Sequence, residues 1–305
     1  MATADQASFL ADLFDRGLLV ESGVRGVYGR GPDFERVRVA FDDLVTRAAA
    51  ADEPEVLRFP PVLPLRQLEA AGFLASFPHL AGTVFAFDGG EREAFELKER
   101  AGRHEDWSEL QSMTDLALLP AACYPVYPAV AARGQLQPGG ITVDPGDAYV
   151  FRHEPSDDPA RLQAFHMREL VRLGEPEVVR AWFEAWRDRA LELLRNLGLE
   201  AEVDVGADPF FGRGGRMLAE SQREQQLKFE ILAPISGAEP TAVASFNHHQ
   251  DHFGVTFGIE LDDGAVAHTA CLGFGHERIV LALLHRHGLE IPAWPDDVRD
   301  ELRLA

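Results

Sequence analysis

The sequence has 305 residues, of which 46% are hydrophobic, and a formal net charge of −21. This size and composition predict a globular chain with a sizeable core, in one large domain or two small ones. The charge argues against a broad nucleic-acid-binding surface, because phosphate backbones are bound by clustered Lys and Arg. A small basic pocket for a nucleotide is still compatible with it. The sequence has no apolar run of membrane-spanning length and no signal peptide, so we expect a cytoplasmic protein that does not interact with membranes.

The first 50 residues have a helical pattern. Apolar side chains at helical spacing predict a helix over residues 4–20, with Asp5 as its cap, and a second helix over 34–51. A glycine-punctuated loop separates the two. We interpret residues 1–50 as an N-terminal helical extension and residues 51–305 as the main domain of a single globular unit.

Prolines interrupt the apolar runs in the next part of the chain. The elements predicted there are a proline-ended strand over 55–64, a helix over 65–74, a buried strand over 77–87, an acidic helix or loop over 88–103 and a tight strand over 139–151. The first three of these are compatible with an oligomer interface or with an edge strand. Residues 116–130 contain three prolines around Cys123. We expect that segment to be bent and irregular.

Residues 151–170 are predicted to form two strands joined by a polar loop. Alternation places Arg152 and Glu154 on one face, and Phe165 and Glu169 together on one face of the returning strand. Such side chains can form a nucleotide site, in which the Arg binds a phosphate, the Phe stacks on the base and Glu154 accepts a hydrogen bond from an amine. The alternative is a surface ion pair worth less than about 1 kcal/mol.

The following segment contains regular elements and a cluster of histidines. The predicted elements are a helix over 175–197 capped by Gly198, a strand over 200–208, a glycine-rich loop and polar helix over 209–226, a strand over 227–233, and two strands flanking an irregular stretch over 242–259. The stretch holds His248, His249 and His252 beside Asp251. Their density suggests a metal, but their spacing fits no zinc motif, so a polar substrate pocket or an ordinary hydrogen-bonded loop is favoured.

Residues 268–288 begin as an apolar extended segment, turn at Gly273 and Gly275, and continue as a helix. Glu277 and Arg278 fall at the start of that helix, where unpaired N–H groups favour an anion. An Arg there can bind a phosphate through two parallel hydrogen bonds. The segment is therefore a candidate phosphate site, and the alternative is a glycine turn with a solvated Glu–Arg pair.

The two cysteines, Cys123 and Cys271, are far apart in the sequence. A disulfide is not expected in a cytosolic chain. The two thiols are therefore either small buried hydrophobic groups or metal ligands.

Three separated motifs resemble one family. FRHE with RLQAFHMRE resembles motif 2 of class II aminoacyl-tRNA synthetases, GFGHER resembles motif 3, and the proline-ended strand near FPPVLP corresponds weakly to motif 1. The spacing of Arg161, Phe165 and Glu169, with KFEI followed by ASFN, resembles the seryl type. PLRQLEAAGFLASFPHLAGTVFAF, ACYPVYP, FNHHQDHFG and TACLGFGHER are similar to amino acid:[carrier protein] ligases, shortened relatives of the zinc-containing seryl synthetases of methanogens.

This resemblance covers residues 56–288 and implies an α/β (α+β) fold, with an antiparallel sheet flanked by helices, in a homodimer. It makes residues 51–305 a class II synthetase-like catalytic domain. Cys123, Glu169 and Cys271 match the family's zinc ligands, which leave a fourth position for the substrate's amino group. Glu169 and Asn247 are then expected to bind the amino acid.

The resemblance also implies an ATP site. Arg152, Glu154 and Arg278 match its catalytic residues. The full set expected to bind ATP is Arg152, Glu154, Arg161, Leu162, Phe165, Lys228, Ala242, Val243, Ala244, Ser245 and Arg278. Where the seryl type has an acid that helps to hold Mg²⁺, this sequence has Thr241, and Glu230 is a partial replacement.

The activity implied is ATP-dependent activation of a small amino acid, with glycine or alanine favoured and serine a further candidate, and its transfer to the phosphopantetheine thiol of a carrier protein. We expect no tRNA acceptor, since the chain is acidic and its leading residues resemble no tRNA-binding domain. Arg213, Arg216 and Arg223 lie in a basic segment that is either a carrier-docking surface or a solvated helix. The alternative functions are a small seryl-type tRNA synthetase and a non-catalytic regulator that binds an amino acid or nucleotide.

Overall fold

The structure, a computed structural model, describes residues 3–237 and 239–304, apart from the side chains at positions 213, 214 and 218. The α-helices are α1 (Ala4–Asp15), α2 (Pro32–Ala49), α3 (Leu65–Ala70), α4 (Phe73–Ser76), α5 (Glu91–Gly102), α6 (Val126–Ala131), α7 (Pro176–Asn196), α8 (Gly212–Glu224), α9 (His252–Phe257), α10 (His276–His287) and α11 (Asp296–Glu301). The strands are β1 (Leu19–Val24), β2 (Val27–Arg30), β3 (Glu55–Val56), β4 (Val62–Pro64), β5 (Thr83–Phe87), β6 (Gln111–Leu118), β7 (Ile141–Phe151), β8 (Ala164–Gly174), β9 (Glu202–Val205), β10 (Lys228–Ala233), β11 (Thr241–Gln250) and β12 (His268–Gly275).

A seven-stranded sheet in the order β3-β7-β8-β12-β11-β10-β9 forms the centre of the fold. Its neighbouring strands are antiparallel, except for the parallel pair β3 and β7. A three-stranded sheet in the order β4-β6-β5 and a β1-β2 hairpin accompany it. The α/β class and the antiparallel sheet flanked by helices are confirmed.

One face of the central sheet is covered by α2, α7 and α10, whose apolar residues share one core with the inward side chains of the strands. Helix α7 begins with Pro176 in its first turn, where the missing N–H costs nothing, and is followed by Gly198 at φ +76°. Trp186 and Phe183 on its inner side are fully buried. This helical layer and the sheet together form the main core of the protein.

The opposite face carries a second core, built from the small sheet, α6 and α9. Tyr127 of α6 stacks on Phe253 of α9 at a ring distance of 4.0 Å. Cys123 and Cys271 of the candidate site described below belong to this second core, and Phe165 packs against it.

The N-terminal segment differs in detail from the prediction. Helix α1 ends at Asp15 instead of residue 20, its N-cap is Thr3 instead of Asp5, and the glycine-punctuated region forms the β1-β2 hairpin. Gly17, at φ +64°, provides the left-handed turn that ends the helix. Leu13 and Phe34 are fully buried in the main core. The boundary at residue 50 stays a prediction.

Several other elements also differ from those predicted. The segment 252–257 is a helix, although the second strand of residues 242–259 was predicted there. Strand β12 continues through Gly273 to Gly275 instead of turning at Gly273. The strand predicted over 77–87 is confined to Thr83–Phe87. Across the described residues, every helix is too short or too polar to span a lipid bilayer.

Candidate active site and metal centre

The face of the central sheet opposite α7 and α10 carries polar side chains from four neighbouring strands. Residues paired directly across an antiparallel sheet lie on the same face. Register pairs Glu169 with Gly273, Gly273 with Ser245, and Ser245 with Glu230. It likewise pairs Cys271 with Asn247 and Asn247 with Lys228. We call this the site face, made of Phe165, Glu169, Lys228, Glu230, Ser245, Asn247, Cys271 and Gly273.

The three predicted metal ligands meet on the site face. Cys123 enters from the turn between β6 and α6, where its carbonyl accepts a hydrogen bond from the N–H of Val126 at 2.9 Å. One ligand atom from each of Cys123, Glu169 and Cys271 lies within 4.8 Å of the other two, and all three residues are buried. Among the described residues, this is the one group of His, Cys, Asp or Glu with such geometry.

The chemistry of these three groups fits zinc. The Oε2 atom of Glu169 is buried with no hydrogen-bond partner among the described residues, and proteins rarely leave such an oxygen unsatisfied. Burial raises the pKa of Glu169 to about 7. The hydrogen bond with Cys271, together with burial, raises the pKa of Cys123. Without a cation, the ionised forms of Glu169 and Cys123 are thus unfavourable. A cation bound by the two sulfurs and one carboxylate oxygen would stabilise these ionised forms, and a tetrahedral ion would keep a fourth position open.

Asn247 and His249 surround the sulfur of Cys271. The Nδ2 atom of Asn247 lies 3.9 Å from Cys271 Sγ, while its Oδ1 atom is buried and unpaired among the described residues. The Nε2 atom of His249 lies 3.6 Å from the same sulfur. The free Oδ1 can accept a hydrogen bond, and the assignment of Asn247 to the amino acid stays a prediction. His249 was not assigned to this site from the sequence.

Arginines converge next to the metal centre. Arg278 donates from Nε to the carbonyl of Ala160 at 2.7 Å and from Nη1 to the carbonyl of Ala242 at 2.9 Å. Burial lowers the pKa of Arg278 to about 10, with smaller contributions from the positive charges of Arg152 and Arg161. Arg278 therefore stays charged at neutral pH. The charges of Arg152 and Arg161 are near enough to lower the pKa of Arg278, and such a grouping of cations favours an anion.

Arg152 and Phe165 lie together as predicted, although the backbone differs. Strand β7 ends at Phe151, so Arg152 and Glu154 lie just beyond it, and the N–H of Arg152 donates to the carbonyl of Gln163 at 2.8 Å. The guanidinium carbon of Arg152 lies 5.6 Å from the ring centre of Phe165. This geometry brings together a guanidinium group and an aromatic ring, the two groups expected to bind a phosphate and a base.

The loop between β7 and β8 contributes the remaining predicted residues of this region. The Oε1 atom of Glu154 lies 3.9 Å from the Nη1 atom of Arg161. Leu162 is buried next to them in sequence. Arg161 is exposed, so its side chain is free to reorient toward a phosphate.

Lys228 is bound on two sides by carboxylates. Its Nζ atom lies 2.6 Å from Asp208 Oδ1 and 3.1 Å from Glu230 Oε1. Burial opposes ionisation of Asp208, but Lys228 and a hydrogen bond from Gln222 outweigh it and lower the pKa of Asp208. The main role of Lys228 in this structure is therefore to neutralise the carboxylates of Asp208 and Glu230. Asp208 was missed because nothing in its local sequence distinguishes it among 50 acidic residues.

The strand segment Ala242 to Ser245 borders the arginine cluster. The carbonyl of Ala242 is already bound by Arg278. Val243 and Ala244 are buried in the main core, so it is their backbone that can line a nucleotide. Ser245 lies on the site face opposite Glu230, whereas Thr241 pairs with Ala233 further along.

Glu277 and Arg278 diverge at the start of α10. Glu277 is buried at 2% exposure and accepts hydrogen bonds from the backbone N–H of His166 at 2.8 Å and from Arg30 at 2.9 Å. The alternative interpretation of this segment, a glycine turn with a solvated Glu–Arg pair, is therefore wrong. Glu277 joins α10 to β8 and β2, and Arg278 is left to face the site.

The histidine cluster does not converge on one point. His248 packs against Phe183 on the α7 side of the sheet, with ring centres 5.6 Å apart. His249 faces Cys271 on the other side, and His252 is exposed. Within the described residues these histidines form no metal cluster.

Helix α8 contains the basic segment. Arg216 and Arg223 are exposed, whereas the side chain of Arg213 lies outside the described residues. Gln222 of this helix exchanges two hydrogen bonds with Asp208, at 2.8 and 2.9 Å. These bonds connect α8 directly to the ion pair that holds Lys228.

Comparison with known proteins gives consistent results. No family model matches the chain. Amino acid–[acyl-carrier-protein] ligases 1 and 2 of Bradyrhizobium diazoefficiens are each 46% identical to it, cover 99% of the chain, and are themselves covered to 91% and 89%. A type-2 serine–tRNA ligase of Methanopyrus kandleri is 27% identical over 88% of the chain, which spans 54% of that protein.

Solved structures show the same fold. The SerRS of M. kandleri, in complex with A. aeolicus tRNASec, has a TM-score of 0.83 at 23% identity, over 97% of this chain and 60% of that one. The seryl-tRNA synthetase of Pyrococcus horikoshii with ATP has a TM-score of 0.68 at 16% identity, over 96% and 62%. The fold is that of class II aminoacyl-tRNA synthetases. With near-complete coverage at 46% identity, the chain belongs to the amino acid–[acyl-carrier-protein] ligase family and is a ligase.

Proposed function

We propose that this protein activates a small α-amino acid with ATP and transfers it to the phosphopantetheine thiol of a carrier protein. Glycine or alanine is favoured as substrate, with serine a further candidate. The observation that carries the proposal is the shared site face: the Cys123–Glu169–Cys271 cluster lies beside the converging guanidinium groups of Arg152 and Arg278. A site for an amine and a site for a polyphosphate are thus adjacent.

In the first step the substrate carboxylate attacks the α-phosphorus of ATP. A new P–O bond forms, the bond to the β-phosphate oxygen breaks, and pyrophosphate leaves, which gives the aminoacyl adenylate. Arg152 and Arg278 stabilise the negative charge that develops on the phosphate oxygens. Glu154 accepts a hydrogen bond from the adenine amine, and Phe165 stacks on the base. Holding both reactants in one geometry supplies the remaining acceleration.

Amino-acid selection rests on the metal centre. When bound by Cys123, Glu169 and Cys271, zinc supplies a Lewis-acidic position that takes an uncharged amine and so selects the α-amino group. The Oδ1 atom of Asn247 is placed to accept a hydrogen bond from the same amine. These contacts recognise the amino group, and the preference for a small side chain rests on family membership.

ATP is expected to arrive with Mg²⁺. Glu230 and Ser245 face each other on adjacent strands of the site face and offer oxygen ligands, the type that Mg²⁺ prefers. Thr241 pairs elsewhere, so we assign the metal-facing carboxylate to Glu230. The ion pair with Lys228 limits that carboxylate to one free oxygen.

In the second step the carrier thiol attacks the carbonyl carbon of the adenylate. A C–S bond forms, the bond to the AMP oxygen breaks, and the thiol proton passes to solvent. We assign carrier docking to α8, through Arg213, Arg216 and Arg223, because a basic surface suits the acidic proteins that carry phosphopantetheine. The enzyme is further proposed to be a cytoplasmic homodimer that uses no tRNA.

The test is ATP–pyrophosphate exchange by the purified protein with each of the twenty amino acids and no acceptor. Exchange driven by one or two small amino acids is expected. A following reaction with a phosphopantetheinylated carrier should give a hydroxylamine-sensitive thioester, whereas tRNA should remain uncharged. Charging of tRNA would favour the seryl-type synthetase. Absence of exchange from folded, zinc-loaded protein would favour a regulator that binds without catalysis.

A further inference from the structure

The sulfur of Cys271 lies between two nitrogen atoms from strand β11. His249 Nε2 is 3.6 Å from it and Asn247 Nδ2 is 3.9 Å from it. Asn247 and His249 are two residues apart, so both side chains point to the site face. On its other side this sulfur has the thiol of Cys123 and the carboxylate of Glu169, whose ligand atoms lie within 4.8 Å of it.

His249 is fixed from its other side. Its Nδ1 atom lies 3.1 Å from the hydroxyl of Thr269, a residue with 0% exposure. A neutral imidazole has one N–H and one lone pair. If the hydroxyl of Thr269 donates to Nδ1, the remaining N–H of His249 is directed at the sulfur of Cys271.

The backbone around His249 supports a specific placement. The pairing of β11 with β12 shifts between His248 and Gln250, which pair with Ala270 and Thr269 respectively. His249 is thus the extra residue of a β-bulge, a feature that re-aims side chains next to active sites. The ring of His249 also packs edge-on against Phe253, with centres 4.8 Å apart.

We infer that His249, oriented by Thr269, donates a hydrogen bond to Cys271 Sγ and thereby positions this sulfur as a metal ligand. The inference rests on the proposed zinc site and adds the residue that orients one of its ligands. Hydrogen bonds around a ligand fix its direction and tune the metal, and their loss typically weakens metal binding roughly 10- to 100-fold. His249 is a positioning residue and does not touch the metal.

The test is metal affinity, measured without catalysis. Metal-free protein is titrated with Co²⁺, followed by the sulfur-to-cobalt absorption band, and zinc affinity is measured by competition with a chromophoric chelator. His249→Phe keeps the aromatic packing and removes the hydrogen bond. His249→Gln returns an N–H donor on a side chain of similar reach. His252→Phe, at an exposed histidine three residues along, is the matched control.

The expected result is a roughly 10- to 100-fold weaker zinc affinity for His249→Phe, a shifted cobalt band, and recovery of most affinity in His249→Gln. The His252→Phe control should match the wild type. Wild-type affinity in His249→Phe would overturn the inference and leave the metal centre intact. A wild-type protein that binds no zinc would overturn the metal centre as well. If His249→Phe does not fold, Thr269→Val decides, because it leaves the ring and removes its orienting hydroxyl.

Discussion

Gly273 of β12 lies directly opposite Glu169 of β8, and a Cβ atom built at Gly273 would lie 3.3 Å from both Cγ and Oε1 of Glu169. This is tighter than ordinary van der Waals contact. The absence of a side chain at residue 273 therefore leaves the carboxylate of Glu169 room to keep its place beside the two cysteines.

Gly273→Ala should weaken amino-acid binding without unfolding the protein. Its backbone is ordinary strand, so the methyl group adds crowding rather than backbone strain, and crowding in a packed site costs about 1–3 kcal/mol. We expect the KM for the amino acid in pyrophosphate exchange to rise roughly 5- to 150-fold. Gly102→Ala, where an added Cβ meets nothing within 4 Å, is the control. An unchanged KM would show that the substrate lies elsewhere.

Arg278→Lys should abolish most activation. Lysine keeps the charge but cannot span the carbonyls of Ala160 and Ala242 while facing a phosphate. We expect the exchange rate to fall roughly 100- to 1,000-fold. Arg286→Ala on the exposed side of the same helix should have no effect. Thermal unfolding of both variants distinguishes a loss of catalysis from a loss of folded structure. Near-normal exchange by Arg278→Lys would show that Arg278 does not act in the site.

Metal removal should make stability depend on pH through Glu169. Burial raises the pKa of Glu169 from 4.5 to about 7 in the folded, metal-free protein, so folding favours the protonated carboxyl. The stability contribution is fully present below pH 4.5 and is lost as pH rises toward 7, by up to about 3 kcal/mol. Chemical unfolding of chelator-treated protein at several pH values measures it.

Two comparisons isolate the contribution of Glu169. Glu169→Gln should remove the loss of stability between pH 4.5 and 7, while Glu192→Gln at an exposed site should retain it. Bound zinc should also remove this loss of stability in the unmodified protein, because the cation neutralises the charge of the Glu169 carboxylate. The same pH profile with and without zinc would argue against a metal at this carboxylate.

Reversing charge on α8 should separate the two half-reactions. With Arg216→Glu and Arg223→Glu combined, we expect kcat/KM for the carrier protein to fall about tenfold or more, because like charges at a docking surface are repulsive. Pyrophosphate exchange should be unchanged, since both side chains are exposed. Arg92→Glu on α5 is the control. An equal loss in both half-reactions would mean that α8 supports the nucleotide site instead.

The sequence was most informative for residues that lie in a recognisable motif or in a regular strand. Family motifs placed Cys123, Glu169 and Cys271 together, and the structure brings their ligand atoms within 4.8 Å. Alternation along β8 also correctly placed Phe165 and Glu169 on one face. The second prediction succeeded because a strand's period of two is a strong local signal, whereas the first came from the family resemblance.

Other features depend on contacts that a local pattern does not contain. Phe253, Val255 and Phe257 alternate as in a strand, yet stacking of Phe253 on Tyr127 selects helix α9. Gly273 resembled a turn residue, but it is glycine because Glu169 lies across from it. His249 was noticed only as part of a histidine cluster, because its partner Cys271 comes from the neighbouring strand.

The arrangement of the site on an antiparallel sheet also determines how the protein tolerates changes in chain length. Deletion of one residue within β12, between Cys271 and Gly275, would exchange site-facing positions for core-facing ones over the rest of the strand. Phe274, fully buried in the main core, would then face the substrate. Insertions in loops, such as the loop between β7 and β8, do not change which face of the sheet each strand residue occupies. Natural variation in length should therefore be confined to the loops, and the spacing within β8, β11 and β12 should stay invariant.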